Sequence, residues 1–274
     1  MEEGTSSKER RPDDYMKIVV LVKQVPDSGL ERHLDSADFT VERASASNVI
    51  SELDENALEA AMAIADAGEA EVTVLTVGPD HSLETVRKAL SMGPHKAVHV
   101  QDDAIAGSCA VTTSAVIAAA LSKLEYDLVL CATESTDGGV GGMAQMLGAR
   151  LGVAVMGGAR KLTVDGGALT VERQTDDGYE TLTAATPAIV SVWDSINTPR
   201  FPSLKGIMAA KRKPVENWSL SDLGVAPDTV GAAAATSKVV SAEPRPPRSA
   251  GQKITDEGAG GVELAGYLAA EKFV

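Results

Sequence analysis

The segment DLVLCATESTDGGVGG, Asp127 to Gly142, decides how the rest of the chain reads. Asp127 to Ala132 is an apolar run of buried-strand length, and the residues after it crowd hydroxyls and glycines ahead of a helical pattern that starts near Val140 and stops near Gly152. A strand, a glycine turn and a helix in that order let backbone N–H groups close around an anion at the positive end of a helix. Thr133, Ser135 and Thr136 add hydroxyl donors. Two readings stay open for this turn, a phosphate cradle and a flexible strand-to-helix connection, and its placement favours the cradle. No lysine follows at P-loop spacing and no G-x-G-x-x-G follows the first strand, so neither ATP hydrolysis nor a standard NAD site is supported.

On the N-terminal side, β-rich runs alternate with amphipathic patterns. Buried strands are expected at Lys17 to Val25, Glu71 to Val77, Ala97 to Gln101 and Asp127 to Ala132. Between them, Leu58, Ala61, Met62 and Ala65 recur at i, i+3, i+4 and i+7 before Gly68, and Leu83, Val86 and Leu90 repeat the stripe before Gly93. Cys109 to Leu124 is an alanine-rich third helix. A β-α alternation of this kind predicts a doubly wound, mostly parallel α/β sheet, Rossmann-like in its winding, whose ligands collect beyond the strand C-termini.

On the C-terminal side the period changes. Arg160 to Val164, Ala168 to Gln174 and Tyr179 to Ala184, separated by Asp-Gly-containing turns, read as an antiparallel β-meander appended to the sheet. Pro187 to Trp193 reads as another buried strand. A proline-interrupted loop, Asn197 to Ser203, and a basic segment ending at Lys213 follow, and this loop is the first candidate for a binding surface. The expected organisation is a leader over 1–15, an α/β domain over 16–225, and an extended C-terminal arm over 226–274 with little periodicity before Val262 to Phe273.

The 274 residues, 44% of them hydrophobic, are enough for a real core, which excludes disordered and fibrous classes. A net charge of −14 sets nucleic acid and anionic membrane surfaces aside as main partners. Cys109 and Cys131 are too few for a disulfide framework or an iron–sulfur cluster, which fits a reducing, cytoplasmic setting. No apolar run reaches the ~18 residues of a membrane span. Residues 1–15 are charged and nearly devoid of apolar side chains, so a disordered leader is expected that matches neither a secretory signal nor a mitochondrial presequence, with Met16 as the natural first residue.

Catalytic chemistry is hard to find. His33, His81, His95 and His99 are scattered without carboxylate or cysteine neighbours at ligand spacing, so no metal is expected. Cys109 is expected as a small buried hydrophobe inside its helix, and Ser108 beside it has no nucleophile-elbow context. No nucleophile, base and orienter occur together. Glu172 and Arg173 read as an exposed ion pair or as residues reaching across an interface.

The runs Val22-Lys23-Gln24-Val25-Pro26-Asp27, Val77-Gly78-Pro79, Arg87 to Gly93, Glu134-Ser135-Thr136-Asp137, Val171-Glu172-Arg173 and Asn197-Thr198-Pro199-Arg200-Phe201 occur in this order from Met16 onward. Together they resemble the β subunit of electron transfer flavoprotein, and Gly206 to Lys211 brings the resemblance closest to the actinobacterial type. The resemblance implies a heterodimeric electron carrier with no substrate turnover of its own. Its α subunit holds most of a redox-active FAD, while the β subunit buries a structural AMP. It takes electrons from dehydrogenases such as those of acyl-CoA in fatty acid oxidation and passes them to a membrane-associated quinone oxidoreductase.

Carried over residue by residue, the resemblance implies AMP contacts at Leu21, at Ser51, Glu52, Leu53 and Asp54, at Val77, and through Ala132, Thr133, Glu134, Ser135, Thr136, Asp137, Gly138, Gly139, Val140, Gly141, Gly142 and Met143. It implies a dehydrogenase-docking loop over 197–210 using Pro199, Arg200, Phe201, Leu204, Ile207 and Met208, with Leu204 as its apolar anchor. Arg173 and Gln174 fall at the interface with the α subunit and flavin, and the arm over 226–274 would lie along that subunit. Ser51-Glu52 stands where many members have Asn-Pro, Gln174 where a glutamate is common, and Ser28 where some place a tyrosine. Two other readings are a stand-alone nucleotide-binding sensor or stress protein, and a bifurcating carrier with a second FAD in the AMP place.

Overall fold

The first strand, β1 (Met16–Leu21), is buried on both faces because it lies in the middle of the sheet, parallel to β4 (Ala70–Val77) on one side and β6 (Leu128–Ala132) on the other. The computed structural model describes residues 15–68, 70–243, 245–247, 251 and 253–274. The leader expected over 1–15 lies outside them apart from Tyr15. Beyond Leu21 the chain leaves the sheet earlier than the expected strand to Val25. The Lys23 N–H donates to the Asp54 carboxylate at 2.7 Å instead of to a sheet neighbour, and Gln24 turns into a small antiparallel pair, β2 (Gln24–Pro26) with β3 (Asn48–Ile50).

Helix α1 (Glu52–Asp66) opens with Glu52, Asp54 and Glu55 in its first turn, where acids suit the helix's positive end. It leads to β4, α2 (Leu83–Ser91), β5 (Lys96–Val100), α3 (Ala110–Leu121), β6 and α4 (Met143–Leu151). The expected β-α alternation is present. After α4, β7 (Ala154–Asp165) pairs in parallel with β10 (Ala188–Val192) through its first half. A register shift then carries it into an antiparallel meander with β8 (Ala168–Thr175) and β9 (Gly178–Ala185). The meander is where the turns placed it.

The sheet order is β11-β5-β4-β1-β6-β10-β7-β8-β9, with β11 (Val215–Trp218) on the outer edge, and every pair up to β7 is parallel. One core cluster gathers Ile18, Val20, Leu58, Val72, Val74 and Leu90 with α1 and α2. The other gathers Val19, Leu21, Leu75, Ile117, Val129 and Leu147 with α3 and α4. Alternate residues of β1 therefore feed opposite layers, as a doubly wound sheet requires.

Part of the expected loop over 197–210 is helical: Ser203 accepts from the Gly206 N–H at 3.0 Å and caps α5 (Leu204–Ala210). The domain boundary expected at 225/226 lies further on. Past the short α6 (Leu220–Leu223), Val230 is buried, and the Gly231 N–H, at the start of the short α7 (Gly231–Ala234), donates to Ser108 Oγ. The first compact unit accordingly runs to Val240. The second, Ser241–Val274, carries α8 (Gly260–Ala270), on which Val262 and Leu264 are exposed. Among the described residues no helix is long and apolar enough to cross a membrane.

Candidate functional site

The winding reverses at β1: the chain builds β4 and β5 on one side of it, then crosses through α3 to start β6 on the other. The carboxyl ends of β1 and β6 splay apart at such a point and leave a crevice. Leu21 ends β1, Val77 ends β4, and Ala132 ends β6 and opens the glycine loop, so residues distant in sequence share one edge. Ser51, before α1, joins them by accepting the Thr136 N–H on its hydroxyl at 3.3 Å. Asp54 is buried behind, whereas Glu52 turns outward to accept from the Ser28 hydroxyl.

Within the loop, Gly138 donates its N–H to the Asp137 carboxylate and Gly139 donates to the Ser135 carbonyl. Those two groups are spent internally, so the N–H groups left for an anion are those of Val140 through Met143 and the first turn of α4, which have no intrahelical acceptor. Gly139 and Gly141 take φ of +57° and +66°, a region costly for side-chain-bearing residues. A Cβ added to either would approach protein no closer than 3.9 Å, at Glu134 Oε2. The space beside these glycines is open, as a cradle for an AMP phosphate requires, and the donor set fits that group.

Positive charge at the loop comes from residues absent from the expected site. The Asp137 carboxylate is fully buried and bonded to Lys23 Nζ at 2.7 Å and Arg43 at 2.5 Å. Burial alone would raise its pKa, but the Lys23 ammonium, then bonds from Lys23, Arg43 and Ser135, hold it well below the usual carboxylate range. Arg32 donates to the Thr136 carbonyl at 2.6 Å, so the irregular segment after β2 covers the loop from outside. Lys23 lies two residues past the end of β1, inside the strand that the sequence had extended to Val25. Nothing near Arg43 marks it. Asp54 behaves oppositely: burial pushes its carboxyl up to about 7, against the lowering effect of the Lys23 N–H and charge.

Cys109 is not a buried helix residue. It stands at the N-cap of α3, half-exposed, where the Thr236 hydroxyl lowers its thiol to about 6. His95 and His99 serve the fold, bonding Val72 N–H and Gly78 carbonyl. Arg173 pairs with Glu180, and Gln174 accepts from Arg160, along the exposed face of the meander, contacts worth under about 1 kcal/mol each.

The second surface is apolar. Phe201 and Leu204 are 95% and 84% exposed, and Met208 and Ile207 continue the patch along α5. Pro199 precedes them and stiffens the approach. Arg200 turns inward and bonds Glu59 and Asp66 of α1.

A family model for the electron transfer flavoprotein domain matches residues 38–223. The electron transfer flavoprotein subunit beta of Mycobacterium tuberculosis is 47% identical over 94% of this chain and 99% of its own length. That of Megasphaera elsdenii is 32% identical over 88% and 93%. The caffeyl-CoA reductase-Etf complex subunit CarD of Acetobacterium woodii is 33% identical over 92% and 96%. With its doubly wound sheet and glycine loop at the switch point, the chain belongs to the electron transfer flavoprotein family, as a β subunit of the actinobacterial type.

Proposed function

We propose that this chain pairs with an electron transfer flavoprotein α subunit, which carries most of the contacts to FAD. It binds a structural AMP of its own and docks dehydrogenases of the acyl-CoA class, whose electrons the heterodimer passes to a membrane-associated quinone oxidoreductase. Family members are electron carriers, and FAD supplies the redox chemistry of the complex. This chain's share is to hold the AMP phosphate on the N–H groups of Val140 to Met143, with adenine beside Leu21 and Val77, and to present the docking surface. Arg173 and Gln174 on the meander, and the segment over 241–274, are proposed contacts for the α subunit. The A. woodii relative's name joins an Etf subunit to a reductase of a coenzyme A thioester, the partner class proposed here.

The observation that carries the docking half is the exposed Leu204, an apolar side chain left in water where the proline-stiffened loop enters α5. Burying a leucine contributes about 1.5 to 3 kcal/mol, so Leu204→Ala should weaken dehydrogenase capture by about one to two decades. Electron transfer from a reduced acyl-CoA dehydrogenase to the αβ carrier, measured across ionic strength, tests this. The loss should persist at high salt, while Lys205, Lys211 and Arg212 should affect chiefly the low-salt encounter rate. Equal rates for variant and wild type at every salt concentration would remove the loop from recognition.

A further inference from the structure

The patch built on Phe201 and Leu204 is useful to a partner only if it is held still, because a mobile loop loses more entropy when captured. Its base is fastened at both ends. On the N-terminal side, Arg200 places Nε and Nη2 on the two Glu59 oxygens at 2.6 and 3.0 Å, its own N–H on Glu59 at 3.1 Å, and Nη1 on Asp66 at 2.8 Å. Just before it, Asn197 and Asn56 bond reciprocally, each side-chain amide donating to the other's backbone carbonyl at 3.0 Å. On the C-terminal side, Arg87 of α2 donates to the carbonyls of Ala210 and Lys213, and Lys213 donates back to those of Leu90 and Gly93. Between the anchors α5 lies so close to α2 that a Cβ on Gly206 would stand 2.4 Å from the Ser91 carbonyl oxygen.

Arg200 is therefore the residue whose role the structure changes. A guanidinium facing two carboxylates, one of them on a largely covered Glu59 side chain, has little charge left to offer a partner. We infer that Arg200 is a positioning residue: through Glu59 and Asp66 of α1 it fixes the loop base so that Phe201 and Leu204 project together, and it does not itself contact the dehydrogenase. Glu59 then serves docking from beneath a surface it never reaches. This inference rests on the docking reading of the loop.

The test uses the αβ carrier with Glu59→Gln, Arg200→Gln and the double variant, and Leu204→Ala as control, measuring KM and kcat for electron transfer from the reduced dehydrogenase. If release of the base lowers the docking-competent fraction to about one tenth, each single variant should raise KM about tenfold with kcat unchanged. The double should be no worse than either single, because both remove the same link. Amide exchange over 198–204 in the free carrier should quicken in all three.

A direct contact predicts the reverse for Glu59→Gln, since freeing Arg200 would leave KM unchanged or lower it. That result would overturn the inference, as would additive losses in the double variant or unchanged exchange over 198–204. If Leu204→Ala alone leaves KM untouched, the docking reading fails. If Leu204→Ala raises KM while Glu59→Gln does not, only the positioning role fails.

Discussion

Asp54→Asn separates a buried carboxyl's electrostatic effect from its shape. Asp54 is 5% exposed, accepts the Lys23 N–H at 2.7 Å, and faces the Lys23 ammonium, the Asp137 carboxylate and the Cys131 thiol. Burial raises its carboxyl from the ordinary 3.8 to about 7. Between those two values the folded chain binds a proton that the unfolded chain has lost. Its contribution is therefore fully present below about pH 4 and is lost as pH rises through about 7. At 1.36 kcal/mol per pH unit the whole loss is about 4 kcal/mol. Asparagine keeps the shape and an acceptor for Lys23 but cannot ionise. The variant should match wild type to within about 1 kcal/mol near pH 5 and exceed its stability by about 3 kcal/mol near pH 8. Urea denaturation of the purified αβ complex at intervals across that range measures the difference. Parallel curves, or a wild type that gains on the variant as pH rises, would refute the burial argument.

Asp137→Asn should show the opposite sign, because Lys23 and Arg43 depress that carboxyl. The variant loses about 1 to 3 kcal/mol at neutral pH, discounted for the partly exposed cations, and the gap closes as pH falls below about 4 in the same denaturation series. Gly141→Val forces a β-branched residue to φ +66° and adds bulk to the open side of the loop. Strain of about 1 to 3 kcal/mol, with the blocked approach, should empty the site, read as AMP content of the purified complex, and retention at wild-type occupancy would move the cradle elsewhere.

Local periodicity made much of this molecule readable. The stripe Leu58, Ala61, Met62 and Ala65 marks α1 because its side chains all face one core layer, and three of the four are fully buried or nearly so. Turn glycines marked the meander for the same local reason. Strand β1 ends early because its continuation is captured by Asp54, 31 residues on, and no local pattern encodes that bond. The parallel start of β7 at Ala154 was hidden because its partner, β10, follows only after the whole meander.

The glycine loop could be read from the chain because the proposed anion cradle is built from consecutive residues. Its cations could not, because Arg43 reaches Asp137 across 94 residues from an irregular segment. Arg200 was legible as part of the loop, but its orientation was not, since Glu59 and Asp66 are ordinary acids of α1 until the fold brings the loop over them.

In the proposed assembly this β subunit carries AMP at the crevice between β1 and β6 while the α subunit supplies the flavin contacts. Denaturing the purified αβ complex and quantifying the released nucleotides by chromatography tests it most directly. One AMP and one FAD per heterodimer are expected, with the AMP alone lost from Gly141→Val. Two FAD with no AMP, or no nucleotide attributable to this chain, would contradict it.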